Sequence, residues 1–65
     1  MDDMQRIGDR IRHARKGYGL TQRDLAELIG ASERTVREIE RGTGGQALRI
    51  VVAAANAVGL NVVAS

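Results

Sequence analysis

Apolar positions along the chain fall into four groups, and glycines separate them. Met4, Ile7, Ile11, Ala14 and Tyr18 recur at steps of 3, 4, 3 and 4, with charged residues between them. That spacing puts all five on one side of a helix. Gly17 and Gly19 predict its end, because glycine adopts the left-handed conformation that closes helices at little steric cost. A second helix is predicted to open at Thr21, whose hydroxyl suits the N-cap position, with Asp24 three residues later. The pair approximates a capping box, and the Asp24 charge also suits the positive end of the helix dipole. Leu25, Leu28 and Ile29 mark the expected buried face, Ala26 is a small packing residue, and Gly30 ends the element.

A third helix follows almost at once. Ser32 is a fitting N-cap, Val36 and Ile39 form an apolar pair at i, i+3, and Gly42 closes it. Two short helices joined by a glycine-containing turn of about three residues have helix-turn-helix geometry, because so short a turn makes them cross steeply. The fourth group, Gln46 to Val58, differs in kind: after Gln46 its only strongly polar residues are Arg49 and Asn56. Gly59 stops it. Leu60-Asn61-Val62-Val63-Ala64 then predicts a short extended piece, since adjacent valines suit a strand better than a helix. The expected fold is all-α, four helices with a short C-terminal β-strand. Gly42-Thr43-Gly44-Gly45 is the one loose stretch. It lacks the Gly-Lys-Ser/Thr ending of a phosphate loop and follows a helix rather than a strand, so it is expected to be a connector.

Composition narrows the function. A chain of 65 residues fits one domain, and a domain of that size buries only roughly 60% of its unfolded surface, so a lone monomer is expected to be marginal. There is no Cys, which excludes disulfides and thiolate metal sites and fits a reducing compartment. The single histidine, His13, has no ligand-like neighbours and is expected to lie on the surface. No metal or cofactor is expected, and no apolar run approaches the ~18–20 residues of a membrane span. The Met-Asp-Asp opening does not resemble a signal peptide. A cytoplasmic protein of a prokaryotic cell or phage is the expectation. Catalysis is not expected, because no nucleophile, base or metal set that a pocket would need is present.

Net charge is only +2, but nine of the ten cationic residues are arginine, with Lys16 the exception. Arginine carries the planar fork that matches phosphate oxygens and guanine edges. The charge is also uneven. Residues 1–41 hold nine basic and all eight acidic residues, and residues 42–65 hold only Arg49. A charged front and an almost uncharged back suggest two jobs along one chain.

Three motifs in order carry a resemblance: Ile7-Gly-x-x-Ile11-Arg-x-x-Arg15, then Gly19-Leu20-Thr21-Gln22-x-x-Leu25-Ala26, then Gly30-x-Ser32-x-x-Thr35-Val36-x-x-Ile39-Glu40-x-Gly42. With Leu48, Val51, Val52, Val58, Gly59 and Leu60 after them, the chain resembles the Xre, or lambda-repressor-like, helix-turn-helix family over about residues 4–60. The apolar fourth helix and terminal strand are most similar to the HipB-type antitoxin branch, in which such strands pair across a dimer. One departure concerns the loop after the third helix, where the family often carries Lys or Pro and this chain has Gly44-Gly45.

The resemblance assigns roles. With Val36 and Ile39 in the core, Glu33, Arg34, Arg37 and Glu38 are left outward, and in the family these positions enter the major groove. Arg34 or Arg37 would take a guanine O6/N7 pair, and Glu33 or Glu38 would accept from cytosine N4. Charge pattern alone would make the same residues an ordinary solvated face. Thr21 and Gln22 are expected at DNA phosphates beside the second helix's N-terminus, Thr21 also serving as its cap. Arg23, Ser32 and Arg41 are further phosphate candidates. Arg15 and Glu40 match positions that form a partly buried ion pair in the family, where the residues alone would leave Glu40 a free surface carboxylate.

A dimer is expected from the back of the chain. Leu48, Val51, Val52, Ala55 and Val58 supply one stripe for the core, which leaves Ile50, Ala53 and Ala57 as a second stripe with no core to face. Val62 and Val63 would lie on a strand without a partner in its own chain, and an open edge invites a second copy. The reading is therefore one domain over 1–65, with the helix-turn-helix at 21–41 and dimerisation through 46–65. It implies a homodimeric repressor on a palindromic double-stranded DNA operator, the antitoxin of a toxin–antitoxin operon with a cognate toxin as partner. The alternatives are a phage repressor or restriction-modification controller and, in a different class, a toxin-neutralising protein-interaction module.

Overall fold

A computed structural model describes residues 2–61. It contains α1 (Asp3–Gly17), α2 (Gln22–Ile29), α3 (Glu33–Arg41) and α4 (Leu48–Ala57). The described residues include no strand. Val62, Val63 and Ala64 of the expected strand, with its pairing across a dimer, lie outside them.

The first three helices start where their side chains dictate. Asp2 accepts from the Gln5 amide at 2.8 Å while the Gln5 side chain accepts from the Asp2 amide at 3.2 Å. Thr21 and Asp24 form the same reciprocal box at 3.0 and 2.8 Å. Ser32 accepts from the Thr35 amide at 3.1 Å. Each bond satisfies an amide that the helix itself leaves unpaired. Gly30 and Gly42 end α2 and α3 in the left-handed conformation, at φ of 67° and 73°.

Ile11, Leu25, Val36, Ile39, Val51 and Val58 are the large side chains of the core, with Ala26, Ala54 and Ala55 between them. All four helices contribute, and Ile7, Ala14, Leu20, Ile29, Ile50 and Leu60 pack around the edge. α1 and α3 approach closely at Gly8, where a Cβ would collide with the Ile39 and Glu40 carbonyl groups. That approach lays α1 along the polar end of α3 and brings Arg15 to Glu40. No helix among the described residues is long and apolar enough to cross a membrane.

Several expected core positions are corrected. Leu28 is 62% exposed. At about 100° per residue it lies roughly 100° round α2 from the direction shared by Leu25, Ala26 and Ile29. Leu48 is also 62% exposed, because α4 begins there rather than at Gln46 and its first residue overhangs the core. Val52 is half-buried, while Ala54, on the other side of α4, is fully buried. The α4 stripe is thus Val51, Ala54, Ala55 and Val58, at i, i+3, i+4 and i+7. Of the second stripe, Ile50 and Ala53 are half-buried and Ala57 is exposed. Ile50 packs against the core of its own chain, so that stripe is not free of it. Tyr18 is 65% exposed at the end of α1, with its hydroxyl lying over Gly59.

Candidate nucleic-acid interface

The outward face of α3 follows from burying Val36 and Ile39. Arg34 is exposed, and Glu33, Arg37 and Glu38 are half-buried. The four are paired among themselves across one helical turn. Arg34 Nε lies 3.8 Å from Glu38 Oε2, and Arg37 Nη2 lies 3.8 Å from Glu33 Oε1. Arg23 on α2 reaches Glu33 Oε2 at 3.7 Å. Exposed pairs of this length hold their partners by about 0–1 kcal/mol, so they keep the arginines extended without locking them. Glu38 is the more committed carboxylate, because Gln46 Nε2 donates to its Oε1 at 2.9 Å.

Beneath this face lies a buried network. Arg15 Nε and Nη2 donate to the two oxygens of Glu40 at 2.6 and 3.0 Å, and Arg15 Nη1 donates to the Leu20 carbonyl at 2.8 Å. The two side chains are 9% and 2% exposed. Gln22 Nε2 donates to Glu40 Oε1 at 3.3 Å. The arrangement ties α1, the start of α2 and the end of α3 together. No buried side-chain nitrogen or oxygen among the described residues lacks a partner. Gln22 therefore has a structural attachment that the sequence did not announce, and one amide hydrogen remains for a second acceptor.

Thr21 is exposed at the start of α2, and its box with Asp24 perturbs that carboxyl. The Thr21 backbone amide, then its hydroxyl, hold the Asp24 pKa below the ordinary value, against a smaller opposing effect of desolvation; Arg23 adds a last, minor lowering. Arg23, Ser32 and Arg41 are exposed. Ser32 is engaged as a cap and also meets the Thr35 hydroxyl at 3.0 Å. His13 is exposed, with Nδ1 4.0 Å from Asp9 Oδ2. The described residues contain no group of three or more His, Asp or Glu side chains placed to hold a metal ion.

Arg12, Gln22, Arg37, Glu40 and Arg41 line one open cleft of about 310 Å³ between α1 and the helix-turn-helix. Three of the five are arginines, and Arg12, a position of the first motif, is the one to which the resemblance assigns no role. Its signal was available: it lies one turn before Arg15, and residues three apart share a helix face.

A family model for the helix-turn-helix domain matches residues 6–64. A protein of Archaeoglobus fulgidus named "Putative HTH-type transcriptional regulatory protein" is 49% identical over 35 residues, which cover 54% of this chain and 11% of that protein. A Pyrococcus furiosus protein of the same description is 33% identical over 45 residues, covering 69% of this chain and 14% of the relative. This chain thus spans a small fraction of the length of either. The match over residues 6–64, together with α2 and α3 joined through the left-handed Gly30, makes this chain a member of the helix-turn-helix domain family.

Proposed function

We propose that the chain is a sequence-specific DNA-binding transcriptional regulator. The observation that carries this reading is the continuity between the exposed polar face of α3 and the arginine-lined cleft beside it, with Arg37 belonging to both. Arg34 and Arg37 read base edges in the major groove, Glu33 and Glu38 accept from cytosine amino groups, and Thr21, Gln22, Arg23, Ser32 and Arg41 hold the backbone. The names of the two relatives support the regulatory role.

Finer features rest on the sequence. The resemblance to the Xre family and its HipB-type branch supports a homodimer on a palindromic operator that represses by occupying a promoter, as the antitoxin of a toxin–antitoxin operon. The chain is not an enzyme in this reading. A second reading, a protein-interaction module, is favoured by Leu28 and Leu48, each 62% exposed.

Site selection with randomised duplexes tests the first reading. Arg34→Ala and Arg37→Ala are each expected to cost about 1–3 kcal/mol of operator affinity and to relax preference at one position. If both variants keep the wild-type site preference, the base-reading assignment is wrong. Affinity for DNA should also fall steeply with salt, because phosphate contacts release counterions. An apolar docking module would show no such dependence.

A further inference from the structure

Glu38 is held differently from the other three outward residues of α3. Glu33, Arg34 and Arg37 are met by ion pairs at 3.7 to 3.8 Å. Glu38 Oε1 instead accepts a 2.9 Å hydrogen bond from Gln46 Nε2. Among the described residues this is the one side-chain hydrogen bond that the four make. Gln46 stands outside the helix-turn-helix, in the loop between α3 and α4, and both partners are half-buried. The loop is closed onto Glu38 at two levels. The Thr43 amide donates to the Glu38 carbonyl at 2.9 Å, which satisfies a carbonyl that the end of α3 would leave unpaired. Gly44, at φ 83°, lies against the side-chain pair. A Cβ there would stand 2.9 Å from Glu38 Cδ and 3.0 Å from Gln46 Nε2, and so would displace the clasp.

We propose that Gln46 is a positioning residue for sequence readout, holding Glu38 so that its carboxylate accepts from the N4 amino group of one cytosine in the operator. The proposal rests on the DNA-binding reading above, in which Glu38 faces a base edge. In the major groove only cytosine and adenine offer an amino donor, and adenine sets its N7 acceptor beside that donor, where a carboxylate is repelled. Without the clasp, Glu38 has Arg34 one turn away as its partner, and two readers closed on each other read nothing. Gln46 donates without adding charge, so Glu38 keeps its negative charge and loses its freedom to rotate. That ordering is complete before DNA arrives and is not subtracted from binding. The same clasp leaves Arg34 with a contact of only 3.8 Å to Glu38 Oε2, which it can exchange for a contact of its own.

A positioning role predicts lost preference at one base pair, whereas a backbone contact would weaken all sequences alike. The test compares wild type, Gln46→Met, Gln46→Lys, Glu38→Ala and the double variant Glu38→Ala/Gln46→Met. Each is titrated against the operator, the operator changed at the base pair where Glu38→Ala relaxes preference, and a scrambled duplex. Gln46→Met keeps the length of the side chain and removes its donor. It is expected to lower the preference for cytosine at that base pair by about 5–10-fold, with affinity for the scrambled duplex and the salt slope unchanged. Gln46→Lys supplies a donor again and should restore the preference. Adding Gln46→Met to Glu38→Ala should change nothing further at that position. Preference is a ratio of affinities, so a partial loss of folded protein cancels from it. Full cytosine preference in Gln46→Met would overturn the proposal and leave the base-reading role of Glu38 intact. So would a uniform loss on all duplexes with a shallower salt slope, which would make Gln46 a phosphate ligand. A Glu38→Ala variant that relaxes no position, or a wild type that prefers another base there, would remove the cytosine contact itself. A wild-type chain without salt-dependent DNA binding would remove the DNA-binding reading and this proposal with it.

Discussion

Helices α1, α2 and α3 each begin on a side-chain cap, whereas α4 begins on Ala47, which makes none. The front helices also carry an acidic residue in the first turn, and α4 has neither an acidic first turn nor a basic last one. The front of the molecule is held by local signals, a buried ion pair and the core together. The back is held by packing of Val51, Ala54, Ala55 and Val58. Helices as short as α2, α3 and α4 are all marginal by themselves in water, but α4 alone has no capping side chain, so its existence rests most fully on packing. Charge and side-chain hydrogen bonding gather where α1, α2 and α3 meet, whereas the exposed large apolar side chains Met4, Tyr18, Leu28 and Leu48 are spread over both regions.

The sharpest way to break the contrast is to cut the ion pair. Arg15→Ala or Glu40→Ala is expected to cost about 3–5 kcal/mol, since each strands a buried charge, while a paired apolar replacement costs less than the sum. Urea unfolding of the singles and the double closes the cycle. Additive losses would mean that the front is held by caps and core alone.

Next in size is the back. Val51→Ala is expected to cost about 2 kcal/mol by opening the core under α4. Amide exchange should quicken first in α4, with α2 and α3 retaining protection longer. Uniform loss across all four helices would show that the two regions unfold as one.

Exchanging cap chemistry sharpens the same point at smaller scale. Thr21→Ala should destabilise by about 1 kcal/mol, and Ala47→Ser should stabilise by a few tenths up to that amount, because only the front already has its cap. Thermal melts of the two variants decide this. If Ala47→Ser is neutral, α4's start is set by packing so firmly that a cap adds nothing.

The smallest effect is a pH dependence. Asp24 has a folded pKa held below its unfolded value by the Thr21 amide and hydroxyl. The stability it contributes is thus fully present above about pH 4 and is lost as pH falls through the lower folded value. The gap in denaturation midpoint between wild type and Asp24→Asn should therefore shrink on acidification from pH 6 to below 3. A gap that widens would contradict the sign.

Much of the front was legible because its signals are local. Thr21, Ser32, Gly30 and Gly42 each mark a boundary through their own backbone chemistry, and the structure begins and ends α2 and α3 beside them. The Asp2–Gln5 box was equally local and went unread. The phase of α4 is not legible from its apolar spacing, because alanines and valines occupy nearly every face; the signal lies in Arg49 and Asn56, which share the exposed face opposite Val51, Ala54, Ala55 and Val58. Apolar spacing alone therefore favours Val52 and Leu48 for the core over Ala54, against the burial the structure shows. In α2, Leu28 misled because apolar character is not the same as direction. It lies next to Ile29 in sequence yet turns away from the core.

Sequence by itself determined the number of helices, most of their ends, the turn that crosses α2 with α3, and the outward placement of Glu33, Arg34, Arg37 and Glu38. These follow from period, capping and glycine, which act within a few residues of where they are written. Only the tertiary structure decided that Gln22 leans on Glu40, that Glu38 is shared with Gln46, and that Arg12 meets Arg37 and Arg41 around one cleft. Those meetings depend on how closely α1 can approach α3, and Gly8 sets that distance by having no side chain to hold the Ile39 and Glu40 carbonyls away.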